Sequence, residues 1–235
     1  MAVKDLLAIR ERELTSLKNR LAQVLEADQR VRAAWLSGSF SRGDHDALSD
    51  LDLSVVVSSQ PMAEIVANRH EYVADASDPV LLLDVPQNAP PDGAYLLVFY
   101  AGEVGPLHVD WFWEPDFKAR KPDDALVLFD RTELPVMPGA EWRRDAHRPT
   151  GSSSGVAIEP IEPVTWKITY FWAMSLIVAK YIARRRGETV ARMTGVIDRT
   201  LAELAGILEG CRAHKRSGSL MPPDLAAETP SVQLV

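Results

Sequence analysis

Cysteine is almost missing from this chain. Cys211 is the only one in 235 residues, which excludes an internal disulfide and any metal cluster built from cysteines. Long apolar runs are missing too, since nothing approaches the roughly 18 residues that a membrane span requires. The opening segment, MAVKDLLAIRERELTSLKNR, alternates charge with leucine and lacks a signal-peptide core, so a cytoplasmic location without membrane association is the expectation. Positive charge is in short supply: 26 Lys and Arg stand against 33 Asp and Glu, a net charge of −7. Broad electrostatic binding of nucleic acid needs a basic face, so nucleic acid is not an expected partner. No internal repeat is visible. What remains is an ordinary globular composition, 46% hydrophobic and 25% charged, long enough for one large domain or two small ones.

Periodicity organises the chain. Leu14, Leu17, Leu21 and Val24 recur at three- and four-residue spacing and predict an amphipathic first helix. Ala33 to Leu36 reads as a strand running into a tight turn at Ser37-Gly38-Ser39, with Ser39 placed to cap a short helix through Arg42. Asp50 to Val57 alternates and ends in a valine run, as a buried strand does. A helix is predicted over Met62 to Ala74 after Pro61. Strands are predicted over Val80 to Val85, Tyr95 to Tyr100 and Leu107 to Trp113, the last two joined as a hairpin around Gly102 and Gly105. From Pro138 to Pro163 Pro, Gly and Ser dominate, including Gly151-Ser152-Ser153-Ser154-Gly155, which reads as a flexible connection. Two helices are expected beyond it. Ile168, Phe171, Ser175, Val178 and Ile182 form the face of the first; Val190, Met193, Ile197, Leu201, Leu204 and Leu208 form the face of the second. Gly187 is placed to end the first. The fold class is therefore α+β: a mixed β-sheet domain flanked by helices over residues 1–137, a linker over 138–163, a smaller helical domain over 164–214, and a disordered tail over 215–235.

Chemistry concentrates at Asp50 and Asp52. On a strand, residues i and i+2 share a face, so these carboxylates stand side by side while Leu51, Leu53 and Val55 turn away. Adjacent carboxylates repel and gain nothing by burial unless a cation holds them, and Mg²⁺ is the natural choice for carboxylate oxygen with phosphate. In Leu107-His108-Val109-Asp110-Trp111-Phe112-Trp113, Asp110 shares a face with His108 and Phe112. If that strand lies near Asp50 and Asp52, Asp110 becomes a third carboxylate, and three can hold two divalent ions that clamp an in-line displacement at phosphorus. Gly38 allows close approach of the backbone to a phosphate, and Ser39 with the following N–H groups can donate to its oxygens.

These residues resemble a known superfamily. Leu36-Ser37-Gly38-Ser39-Phe40-Ser41-Arg42-Gly43 followed by Ser49-Asp50-Leu51-Asp52-Leu53 is similar to the motif of DNA polymerase beta-like nucleotidyltransferases. Within them it is similar to the antibiotic nucleotidyltransferases, notably the lincosamide and aminoglycoside groups. A weaker echo is the stretch KYIARRRGETVAR from Lys180 to Arg192. The resemblance implies a nucleotidyltransferase-type sheet domain and transfer of a nucleoside monophosphate, first of all AMP from ATP, to a hydroxyl of a small acceptor, with pyrophosphate leaving. It implies that Asp50 and Asp52 bind Mg²⁺, with two ions expected, and that Asp110 completes the metal site or acts as general base. It further implies that Gly38 and Ser39 hold the β- and γ-phosphates, and that Arg42 and Lys180 meet the triphosphate charge. A monomer or homodimer and a role in antibiotic resistance are implied in the same way.

Plainer readings stand beside these. Arg42 reads equally as a solvated helix residue, and Lys180 as a snorkelling side chain on a packed helix. His108 reads as a packed or hydrogen-bonded histidine, and His45, His70, His147 and His214 show no ligand spacing. Trp111, Trp113, Trp166 and Trp172 read as core more readily than as the floor of an acceptor pocket. Arg184-Arg185-Arg186 reads as a basic helix end. Two further functions stay open: a nucleotidyltransferase of a toxin–antitoxin pair that modifies a partner protein, and a module that binds nucleotide without turnover.

Overall fold

A computed structural model describes residues 1–146 and 163–217. The chain divides into two compact units, Met1–Ile158 and Glu159–Val235.

The first unit is built on a six-stranded mixed sheet. Its strands are β1 (Val31–Leu36), β2 (Leu51–Val57), β3 (Pro79–Asp84), β4 (Ala94–Tyr100), β5 (Leu107–Pro115) and β7 (Leu126–Asp130), in the order β3-β4-β5-β2-β1-β7. Within this sheet only β2 and β5 pair in parallel, and they lie at the centre. The two-residue strands β6 (Lys121–Pro122) and β8 (Val136–Met137) form a small second sheet. The helices are α1 (Val3–Ala27), α2 (Gly38–Arg42), α3 (Met62–Ala67), α4 (Arg69–Ala76) and α5 (Gly139–Ala146).

Alternation along the central strands divides the sheet into two faces. Leu51, Leu53, Val55 and Val57 of β2, with Val109, Trp111 and Trp113 of β5, enter the main core. There Trp111 and Trp113 stack at 5.1 Å. The α1 stripe Leu14, Leu17, Leu21 and Leu25 closes the same core. Removing that apolar surface from water supplies most of the stabilisation of the layer, at about 25 cal/mol per Å². Arg10 continues the stripe; its guanidinium is buried and donates to the carbonyls of Gly105 and Pro106 at 2.9 and 2.7 Å. The β4–β5 turn is thereby tied to α1. At the β3 edge of the sheet, Arg69 of α4 donates to Asp84 at 2.6 Å in a buried ion pair. Burial pushes the Asp84 carboxyl up, but hydrogen bonds from His70 and Arg69 outweigh it and leave the value lowered.

The second unit is a helix hairpin, α6 (Pro163–Ala183) and α7 (Gly187–Ser217). An ion pair between Lys167 and Glu203 joins them.

Several expectations change. The helix expected over Met62 to Ala74 is two helices broken at Asn68. Asp50 lies just ahead of β2, which begins at Leu51. Ser39 does not cap α2: Ser37 occupies the N-cap position and Ser39 lies within the first turn. The buried residues of α6 are Tyr170, Ala173, Ile177, Val178 and Lys180, whereas Ile168 and Ile182 of the expected face are exposed, as is Trp172. On α7 Leu201 and Leu208 are exposed in the same way. Gly187 does not end α6. Arg185 takes the left-handed position, φ 55°, and Arg185 N–H and Arg186 N–H close onto Ile182 and Tyr181 carbonyls at 2.9 and 3.0 Å. Gly187 instead opens α7. α5 occupies residues 139–146, and α7 runs on to Ser217. The glycine-serine run 151–155 and residues 218–235 lie outside the described residues.

Candidate active site

The site forms where β2 and β5 begin. Parallel pairing makes Asp52 and Asp110 register partners, so both carboxylates rise from the face opposite the main core. Asp50 joins them from the residue preceding β2. Parallel pairing accounts for the convergence: it puts the starts of two strands, distant in sequence, at one edge of the sheet. Among the described residues, Asp50, His108 and Asp110 offer ligand atoms within 4.8 Å of one another.

Asp110 is held on its Oδ1. Tyr95 of β4 donates its hydroxyl to that oxygen through a short hydrogen bond, and His108 Nε2 lies 3.1 Å from it. His108 Nδ1 lies 3.4 Å from Asp50 Oδ2. The imidazole is buried and stacks on Phe99 at 4.6 Å, with the rings 16° apart. Burial, with the negative charge of Asp110 next in weight, raises the Tyr95 phenol well above its ordinary range, so it stays a neutral donor. Phe112, two residues along β5, packs beside the Tyr95 ring at 4.9 Å.

The α2 turn forms the second wall. Ser37 N–H donates to the Asp52 carbonyl at 3.0 Å, fixing the turn to β2. Gly38 has φ +68°, and a Cβ built there would stand 1.9 Å from Asp52 Oδ2. Only glycine fits, both in backbone conformation and in space. The Ser39 hydroxyl oxygen is buried with no hydrogen-bond partner among the described residues. A buried hydroxyl beside a carboxylate cluster marks a place where a polar ligand would complete the bonding.

The structure thus brings Asp50 and Asp110 together on either side of His108, and sets Asp52 in register with Asp110 and against Gly38. Arg42, at the end of α2, is half exposed and pairs with Asp44 at 3.2 Å. Lys180 lies on α6 of the second unit and is buried there. Trp111 and Trp113 belong to the core; Trp166 stacks on Tyr170 at 4.8 Å. His70 is spoken for by Asp84 at 2.8 Å, and His45 stacks on Phe40. The His147 and His214 side chains lie outside the described residues. Sequence reasoning missed Tyr95, while His108 is packed and hydrogen-bonded as read. For His108 the signal was present, since it shares Asp110's face. For Tyr95 it was not, because reaching Asp110 depends on the β4–β5 register, in which Tyr95 faces Phe112.

Two aspartates paired in register across β2 and β5, a third just ahead of β2 and a Gly-Ser turn before them define the class of site. The comparison with protein families gives that class a name: residues 19–95 match the family described as polymerase beta, nucleotidyltransferase. The matched segment contains the α2 turn, Asp50 and Asp52, and ends at Tyr95, before β5. Residues 19–95 are therefore similar to the nucleotidyltransferase domain of the DNA polymerase beta-like superfamily. No match was found among curated proteins. No helix among the described residues is long and apolar enough to cross a membrane.

Proposed function

We propose that the protein transfers a nucleoside monophosphate, AMP from ATP in the first instance, to a hydroxyl of a small-molecule acceptor and releases pyrophosphate. The observation that carries this reading is the pairing of Asp52 with Asp110 in register, with Asp50 beside them and Gly38 against Asp52. Mutually repelling carboxylates, a glycine cradle and a buried serine hydroxyl suit divalent ions and a phosphate chain together. Asp50, Asp52 and Asp110 would hold the ions, with two Mg²⁺ as the expected complement. Bound there, they would neutralise the phosphates and the charge developing on the entering and leaving oxygens.

The chain's own residues do the rest. Backbone N–H groups of the α2 turn and the Ser39 hydroxyl orient the phosphates. Tyr95 and His108 occupy Oδ1 of Asp110, which leaves Oδ2 to face the acceptor and take its hydroxyl proton as oxygen attacks the α-phosphorus. The new oxygen–phosphorus bond forms as the bond to pyrophosphate breaks. Arg42 is the cationic candidate for the triphosphate. The acceptor is proposed from resemblance alone: an aminoglycoside or lincosamide is the first class to test. A cytoplasmic location and a monomer or homodimer fit the same reading.

Incubation with Mg²⁺, labelled ATP and an acceptor panel should release pyrophosphate with at least one hydroxylated compound. Asp52→Asn should lower that turnover by about a thousandfold or more, on the scale of lost electrostatic stabilisation at a reacting centre, with the circular dichroism spectrum unchanged. Unchanged turnover in the variant would place the chemistry elsewhere.

A further inference from the structure

The three-aspartate reading treats the site as oxygen-only, but its most buried polar side chain is an imidazole. His108 is 2% exposed, and its ring plane is fixed by Phe99. Both of its nitrogens face carboxylates: Nε2 lies 3.1 Å from Asp110 Oδ1 and Nδ1 lies 3.4 Å from Asp50 Oδ2. A neutral imidazole has one N–H and one lone pair. With Nε2 directed at Asp110 Oδ1, Nδ1 and Asp50 Oδ2 are neighbouring ligand atoms 3.4 Å apart. A cation placed against both would bond to the two atoms at once. Two ligands bonded at about 2.1 Å and at right angles stand about 3 Å apart, close to the spacing found here. The outer nitrogen held by a carboxylate is the usual support of a metal-bound histidine, since it fixes the tautomer and raises the basicity of the inner nitrogen.

We infer, on the divalent-ion chemistry proposed above, that Nδ1 of His108 and Asp50 together ligate one of the ions, and that this position selects a first-row transition cation such as Mn²⁺ over Mg²⁺. Imidazole nitrogen contributes little to binding Mg²⁺, a hard cation that keeps oxygen and water. Along the divalent series nitrogen ligation strengthens, and Mn²⁺ accepts carboxylate and imidazole together. Asp110 then plays two parts. Its Oδ1 orients the imidazole, and its Oδ2 remains for the ion or the acceptor. Asp52, placed against Gly38, serves the other position.

The test is pulsed electron paramagnetic resonance on the full chain loaded with MnCl₂ alone. A directly bound imidazole gives a ¹⁴N modulation in the echo decay, and that modulation should disappear in His108→Gln. Calorimetric titrations with MnCl₂ and MgCl₂ provide the second readout. His108→Gln should weaken Mn²⁺ binding about tenfold or more, on the scale of losing one metal contact, and Mg²⁺ binding by less than about threefold. Stoichiometric Mn²⁺ with no ¹⁴N modulation in the wild-type protein would overturn the assignment without recourse to any variant. Equal weakening of both ions in the variant would also overturn it. Pyrophosphate release without nitrogen coupling would sink this assignment and leave the transfer reading intact. Nitrogen coupling without release for any acceptor would uphold the assignment while the transfer reading fails.

Discussion

At the scale of single residues, position and environment together decide what a side chain does. Gly38 combines a left-handed backbone with a Cβ position already occupied by Asp52 Oδ2. Gly38→Ala is therefore expected to cost about 1–2 kcal/mol of stability, visible in urea unfolding. Its effect on pyrophosphate release should be larger, because the methyl group displaces the Asp52 carboxylate. Glu114 lies on the site face of β5, and burial pushes its carboxyl up to about 7 against the opposing pull of Arg120. An acid whose folded-state value exceeds its unfolded 4.5 binds more protons when folded. Its contribution to stability is thus complete below that pH and declines as pH rises toward 7. Glu114→Gln should remove this decline and leave the protein more stable than wild type at pH 8 by about 1–2 kcal/mol, discounted for partial solvent access. Urea titrations at pH 5 and pH 8 measure both. The Asp50 and Asp52 pair was legible in sequence because spacing alone puts them on one strand face. The Tyr95 contact was not, because it is a diagonal contact between strands whose register no local pattern announces.

Secondary-structure elements were legible in proportion to the clarity of their period. β5 buries one alternate set completely and leaves Asp110, Phe112 and Glu114 of the other half-buried, while β2 is buried at every position but Asp52, so the alternation of one and the apolar run of the other show directly. β7 went unread: its five residues are half-buried to exposed at the sheet edge, and a short edge strand lacks a strong alternation. α6 failed for the opposite reason. It carries apolar residues around most of its circumference, so any face could be drawn, and the face buried is Tyr170, Ala173 and Ile177. The α6–α7 turn supplies a sharper case. Gly187 was the expected stop, yet Arg185 takes the left-handed conformation, and its N–H and that of Arg186 donate the closing hydrogen bonds. Arg185→Gly should therefore stabilise the hairpin by about 0.5–1 kcal/mol, the usual relief when glycine replaces a side chain at this helix-end position. Chemical denaturation of the full chain would register it, and a loss of stability would show that the arginine side chain contributes more than the backbone costs.

On the scale of the whole molecule, ligand binding and stability are one equilibrium. A nucleoside triphosphate with a divalent ion that binds only the folded state should raise the unfolding temperature, by a free energy of about 2.7 kcal/mol at a hundred times the dissociation constant. Thermal-shift measurements with ATP, other triphosphates and Mg²⁺ should show the rise only when ion and nucleotide are present together. No shift under any combination would argue against nucleotide as the donor. The parallel pairing of β2 with β5 has a last implication. The stretch that matches the nucleotidyltransferase family ends before β5, and Arg10, which anchors the turn leading into β5, precedes that stretch. A fragment trimmed to the matched boundaries would keep two acids and lose the third, together with the middle plank of the sheet and the clasp that seats it. The smallest piece able to work must therefore reach well beyond the recognisable signature in both directions.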